Sequence, residues 1–175
     1  SIGGQLDAFT SKEYAGYYVK VLDEHLPLAT DILTDLVSPS VFAPDDIEPD
    51  GFITVFPEGH TDAADSPTLL IHYRDDQGFT PRPGREDWTV ENIVAYSKIC
   101  THAGCPVGLY QAESGLLLCP CHQSTFEVMD GARPVFGPAA RALPQLPLGL
   151  DDNGYIIATG DFSGPTGPGF WDRGR

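Results

Sequence analysis

The chain has 175 residues, 41% of them hydrophobic, and 25 acidic against 10 basic residues leave a formal net charge of −15. That imbalance excludes a nucleic-acid binder, which needs basic patches to meet phosphate, and no run of about 18 apolar residues is present to cross a membrane. The 19 glycines and 16 prolines favour turns and loops over long helices, in what reads as one domain or one domain with a small insertion.

Residues 1–40 mix short apolar runs with acids. Tyr14, Tyr17, Tyr18, Val21 and Leu22 have rough helical spacing and predict a short helix near Ser11–Asp23, with Ser11 as N-cap and Pro27 beyond its end. Pro39, Pro44 and Pro49 among acids mark 38–50 as loop. Short β segments then take over: Phe52–Phe56, Thr68–Tyr73 and, after a turn-rich connector at Gly78–Glu86, Ile93–Ile99. Val107–Tyr110, a turn at Glu113-Ser114-Gly115 and Leu116–Leu118 form a hairpin, and Ser124–Val128 follows. Leu146–Leu150 and Tyr155–Thr159 flank Asn153-Gly154, a strong hairpin turn. Many short strands at regular spacing predict an all-β antiparallel sandwich.

All four cysteines fall in two boxes, Cys100-Thr101-His102-Ala103-Gly104-Cys105 and Cys119-Pro120-Cys121-His122-Gln123-Ser124. Each box follows a predicted strand, so each is a loop on a rigid scaffold. Each offers a cysteine and histidine pair plus one further cysteine. Two thiolates and two imidazoles can hold a [2Fe–2S] cluster in which histidines replace cysteines on one iron, the Rieske arrangement. Thiolates are soft, strong donors, and neutral imidazoles remove negative charge from the cluster and raise its potential. An imidazole with a free nitrogen facing solvent can also couple electron transfer to a proton. Zinc is the rival for a Cys2His2 set, but Cys100-x-His102 is tighter than zinc-finger spacing, and zinc gives no reason for two extra cysteines. Two structural disulfides would leave both histidines idle.

The boxes, 13 residues apart, resemble those of the Rieske iron–sulfur subunit of cytochrome bc-type quinol:cytochrome c oxidoreductases, of the actinobacterial kind. The resemblance is tight over 88–175 and patchy over 44–74. It implies that Cys100 and Cys119 bind the inner iron, that His102 and His122 bind the outer, exposed one, and that Cys105 and Cys121 form a disulfide between the loops. Gly137-Pro138-Ala139 matches the family's proline loop, a third flap over the cluster. Ser124 matches a serine bonded to a bridging sulfide. Phe126 stands where high-potential members carry a tyrosine, which fits members that oxidise menaquinol. Asp45 to Pro49, Thr54 to Pro57, Phe136 to Pro147 and the tail Gly167-Pro168-Gly169-Phe170-Trp171 share the actinobacterial pattern.

The resemblance implies a Rieske-type sandwich with a base over 51–90 and 129–175, a cluster-binding subdomain over 91–128 covered by the loop 137–139, and an N-terminal segment over 1–50. It implies a one-electron carrier between quinol and a c-type haem, with His122 and His102 as the reacting ligands. A cytochrome b-type subunit with bound quinol and a c-type cytochrome subunit are the implied partners. The chain then reads as a soluble fragment on the outer face of the cell membrane, its anchor lying in a preceding segment. A disulfide suits that oxidising side. The net acidity either steers a basic partner or simply keeps such a domain soluble, and solubility is the simpler reading. The rivals are a Rieske subunit of another oxidoreductase, such as an arsenite-oxidase type, and an oxygenase-associated Rieske ferredoxin.

Outside the boxes, His72 lies in an apolar strand and reads as a hydrogen-bonded structural residue, His60 as a loop residue, and His25 has no cysteine nearby. Arg141 and Lys98 flank the cluster segments and are candidates for docking a partner or trimming the potential, with solvated charge the simpler reading. Ala103 and Leu109 are candidates for an apolar collar where a quinol head docks.

Overall fold

A computed structural model describes residues 41–57, 59–60 and 63–169 in full, and before them the backbone of β1 (Gln5–Thr10) and β2 (Ala15–Lys20). The chain divides into two compact units, Ser1–Ser40 and Val41–Arg175. In the first, β1 and β2 pair antiparallel, with Gln5 opposite Lys20 and Thr10 opposite Ala15. A strand therefore replaces the expected helix at Ala15–Lys20, and the rest of Ser11–Asp23 lies outside the described residues. Tyr17, Tyr18 and Val19 are aromatic and β-branched types that fit a pleated surface and lose side-chain freedom in a helix. Gly16 weakens a helix interior further.

The second unit is all-β, with only three-residue 3-10 turns besides its strands among the described residues. Its first sheet has the order β10 (Gln145–Leu146), β5 (Ile93–Ser97), β4 (Thr68–His72), β3 (Phe52–Val55), every pair antiparallel. Leu69, Ile71, Val94 and Tyr96 belong to one buried cluster, and Leu70, Ile93, Ala95 and Leu146 to another. A sheet covered on both faces has no solvent side. That is why 69–71 and 93–96 read as continuous apolar runs and not as an alternation.

The second sheet is a meander of β6 (Leu109–Gln111), β7 (Leu116–Leu118), β8 (Thr125–Glu127) and β9 (Arg133–Phe136). Leu117, Phe126 and Val128 join Val107 against Leu69, Ile71, Val94 and Tyr96 in one core. Tyr96 and Phe126 are fully buried, each contributing roughly 1.5–3 kcal/mol by removal from water. The Tyr96 hydroxyl donates to the Val128 carbonyl at 2.9 Å, so its polar end is satisfied. This core joins the two sheets and is the platform on which the boxes stand.

Sheet membership differs from the boundaries expected at 91 and 128. β5 pairs with β4 and β10 and belongs to the first sheet, while β9 belongs to the second. β9 carries Pro134, which a central strand would not tolerate. As an edge strand beside a register shift at Thr125/Phe126 it accommodates one. The strand expected over Leu146–Leu150 is split by Pro147 into β10 and β11 (Leu148–Leu150), and β11 pairs with β12 (Ile156–Ala158). The intervening turn has Gly154 at φ 85°, and the Asp151 carboxylate accepts from the amides of Asn153 and Tyr155 at 2.9 and 2.8 Å. Among the described residues no helix is long and apolar enough to cross a membrane.

Candidate metal centre

The two boxes are built alike. The first follows β5: the Cys100 amide donates to the Cys105 carbonyl and the Gly104 amide to the Cys100 carbonyl, both at 2.9 Å. The second joins β7 to β8: the Cys119 amide donates to the Ser124 carbonyl at 2.8 Å and the Gln123 amide to the Cys119 carbonyl at 3.0 Å. Each loop closes through one left-handed residue, Gly104 at φ 82° and Gln123 at φ 61°. Cys100 and Cys119 at the start of the two turns lie in the core, and His122 lies at the surface.

Cys105 and Cys121 form a disulfide between the loops, with Cα atoms 6.5 Å apart, inside the span a disulfide bridges. Cys100 and Cys119 are free thiols, each 1% exposed. His102 is half-buried and His122 exposed, and their rings meet edge to face with centroids 4.6 Å apart. The Nδ1 of His102 is buried and has no hydrogen-bond partner. An unpaired buried nitrogen costs about 1–3 kcal/mol, and a metal bound there removes that cost.

The Cys119 sulfur lies within 4.8 Å of the Cys105 and Cys121 sulfurs, but those two are joined to each other. The donor set that remains is two buried thiols and two imidazoles nearer the surface. It fits a Rieske [2Fe–2S] cluster, with Cys100 and Cys119 as the residues that would hold one iron and His102 and His122 the other. Burial pushes the Cys100 thiol above its ordinary value, the His102 backbone amide pulls it down, the adjacent Cys119 raises it, and the Ser124 hydroxyl lowers it. A bound cation reverses the balance and takes the thiolate.

The third flap rests on the second box. The Ser124 oxygen, fully buried, accepts from the Ala139 amide at 3.1 Å. Gly137 has φ 83°, and a Cβ there would lie 2.6 Å from the Ser124 Cα, 2.7 Å from the Gln123 carbonyl oxygen and 2.8 Å from the Ser124 nitrogen. Only glycine lets the flap come this close. Pro138 is exposed beside it. Phe126, two residues after Ser124, lies opposite Leu117 and packs in the core that contains Cys100 and Cys119. It presents no donor.

Among the other residues weighed from sequence, His72 bonds through Nδ1 to the Ile47 carbonyl at 2.6 Å, and His60 is exposed. His25 lies outside the described residues, as do Phe170 and Trp171 of the tail. Lys98 donates to Thr54 Oγ1 at 2.7 Å. Ala103 is exposed, and Leu109 is 51% exposed. Sequence reasoning missed Thr101. It is buried, and its hydroxyl donates to the Arg141 carbonyl at 2.6 Å. It also missed Gln145, whose side-chain nitrogen and oxygen are buried without partners. Only a threonine set between two predicted ligands hinted at the first, and nothing local hinted at the second.

Residues 60–147 match the Rieske [2Fe-2S] domain family. The cytochrome bc1 complex Rieske iron-sulfur subunit of Streptomyces lividans is 60% identical over 88 residues, 50% of this chain and 52% of that protein. The subunit of the same name from Mycobacterium bovis is 41% identical over 149 residues, 74% of this chain and 35% of that protein. The chain thus spans about half or less of the length of these relatives. The soluble domain of Rieske protein II from Sulfolobus acidocaldarius has a similar structure, with a TM-score of 0.52 at 27% identity, covering 66% of this chain and 69% of that one. Residues 1–56, less than a third of the chain, match the insulinase (peptidase family M16) family, a match that spans the whole first unit and enters the second.

Proposed function

The chain belongs to the Rieske [2Fe–2S] domain family, and from that premise we propose that its Val41–Arg175 unit is the one-electron carrier of a quinol:cytochrome c oxidoreductase, moving electrons from a quinol to a c-type haem. The observation that carries the reading is the pair of disulfide-linked loops. They keep two free thiols buried and two imidazoles together at the outer side. The likeness to bc1-complex Rieske subunits at 60% and 41% identity supports the choice of complex.

When bound, the cluster takes up and gives back one electron at a potential raised by its histidine ligands. The chain's residues supply the rest. Cys100 and Cys119 would hold one iron away from water, and His102 and His122 would hold the other. His122, exposed at the tip, accepts the hydrogen bond of the quinol hydroxyl at its free ring nitrogen and takes its proton. The Cys105–Cys121 bridge and the flap at Gly137-Pro138 fix the two loops against each other. Ser124 braces the flap and donates toward sulfur. Phe126 withholds a second donor, which suits a lower-potential quinol such as menaquinol. The partners in this reading are a cytochrome b-type subunit that presents the quinol and a c-type cytochrome that receives the electron. The unit sits on the outer face of the cell membrane, held by an anchor in the longer subunit.

The test is rapid mixing of the oxidised, cluster-loaded protein with a menaquinol analogue, and then of the reduced protein with a soluble c-type cytochrome. Reduction followed by electron transfer to the haem is expected. A loaded protein that menaquinol does not reduce, or that does not reduce the cytochrome, would refute the proposal.

A further inference from the structure

The segment after β12 returns to the cluster loops through one side chain. Arg141 Nη1 donates to the Pro165 carbonyl at 2.8 Å, and Nη2 donates to the Gly167 carbonyl at 2.6 Å. Gly167 and Pro168 are buried, and Gly167 has φ 68°. The segment is pinned at its other end too. The Ser163 amide donates to the Gln145 carbonyl at 2.8 Å, and its hydroxyl accepts from the Gln145 amide at 3.0 Å. The backbone of Arg141 bonds to the first box. Its carbonyl accepts from the buried hydroxyl of Thr101, between Cys100 and His102. Arg141 is also two residues beyond Ala139, whose amide donates to Ser124 in the second box. One residue therefore connects the tail, the flap and the first box.

Resting on the reading that Cys100 and His102 are cluster ligands, we infer that Arg141 is a positioning residue. Through it the segment 163–168 holds the first ligand loop in place and sets the potential of the site. A guanidinium offers a planar fork that can serve two carbonyls at once, whereas an ammonium on a flexible stem acts as a point charge. A role through charge is kept by Arg141→Lys. A role through the two-carbonyl clamp is lost in it. Loosening the clamp frees the Arg141 backbone and lengthens the Thr101 hydrogen bond, so the His102 amide beside Thr101 loses its fixed aim at the Cys100 sulfur. A donor on a ligand sulfur favours the more negative, reduced state, so weakening it lowers the potential.

The experiment compares the cluster-loaded wild type with Arg141→Lys, Arg141→Gln and Thr101→Val. It measures iron content, thermal midpoint, redox midpoint potential and the electron paramagnetic resonance spectrum of the reduced form. Expected is a full iron complement in each variant. At a fixed potential the reduced-to-oxidised ratio should fall several-fold in both Arg141 variants, a tenfold fall being about 59 mV for one electron, with altered g-values and the same direction in Thr101→Val. Arg141→Lys matching wild type while Arg141→Gln shifts would overturn the clamp in favour of charge. A lowered thermal midpoint with unchanged potential and spectrum in both would show a merely structural role, and would also overturn it. Where the Arg141 variants fail to load, an unchanged potential in Thr101→Val decides against the inference. A wild-type protein with iron but no Rieske spectrum would instead overturn the cluster reading beneath it.

Discussion

Gly137→Ala tests the seating of the flap most sharply. Gly137 sits at φ 83°, and placing an alanine in the left-handed region costs roughly 1–2 kcal/mol by itself. The new Cβ would stand 2.6 Å from the Ser124 Cα, with the Gln123 oxygen and Ser124 nitrogen almost as near. Ordinary contact begins near 3.5 Å, so flap and box must part by about 1 Å. All three obstacles are backbone atoms of the second box and cannot rotate aside. A shift of that size stretches the Ala139–Ser124 hydrogen bond from 3.1 Å to about 4 Å, beyond bonding range, a loss of about 1 kcal/mol. The sum is about 2–3 kcal/mol, or a thermal midpoint lower by roughly 6–12 °C for a unit of this size. Gly154→Ala is the control. Its φ is 85°, yet a Cβ there meets nothing within 4 Å, so it carries the conformational cost alone. Thermal melts of both loaded variants, with iron content before and after, are the assay. Equal melting shifts in the two, with the cluster spectrum of Gly137→Ala unchanged, would refute the close approach of flap and box.

Replacing Cys105 and Cys121 together by serine should cost about 3 kcal/mol in denaturant unfolding, the figure for a loop of this size, and a thiol at either position that reacts in the native protein would contradict the bridge. His102→Ala and His122→Ala should each yield protein without the cluster's visible absorption. His72→Ala should keep it and lose only about 1 kcal/mol with its bond to Ile47. Phe126→Tyr should raise the midpoint potential by on the order of 20–65 mV if its hydroxyl reaches a ligand sulfur, from about 0.5–1.5 kcal/mol per hydrogen bond, with Ser124→Ala lowering it comparably. A fall in Phe126→Tyr with the cluster intact would show that the position is misassigned.

The boxes were legible because their donors lie within six residues of one another and their types admit few metals. The sandwich was legible because its strands are joined by turns with their own chemistry, such as Asn153-Gly154. Long-range pairings were not. Thr101 and Arg141 are 40 residues apart, and nothing local to either marks the other. β9 was hidden by Pro134, a residue that argues against a strand until the strand is known to be an edge. The hairpin β1–β2 was hidden by aromatics whose spacing suits a helix face as readily as alternating sides of a strand. The likeness of residues 1–56 to a peptidase family was hidden because that segment holds one histidine, His25, and no cysteine, and so shows no pair of such ligands.

A redox titration of the purified protein followed by electron paramagnetic resonance, with iron and acid-labile sulfide counted on the same sample, decides whether the two boxes hold the cluster. About two irons and two sulfides per chain and a single one-electron transition between about −150 and +300 mV are expected, with a Rieske spectrum on reduction. A colourless protein holding one zinc, without labile sulfide and silent on reduction, would contradict it.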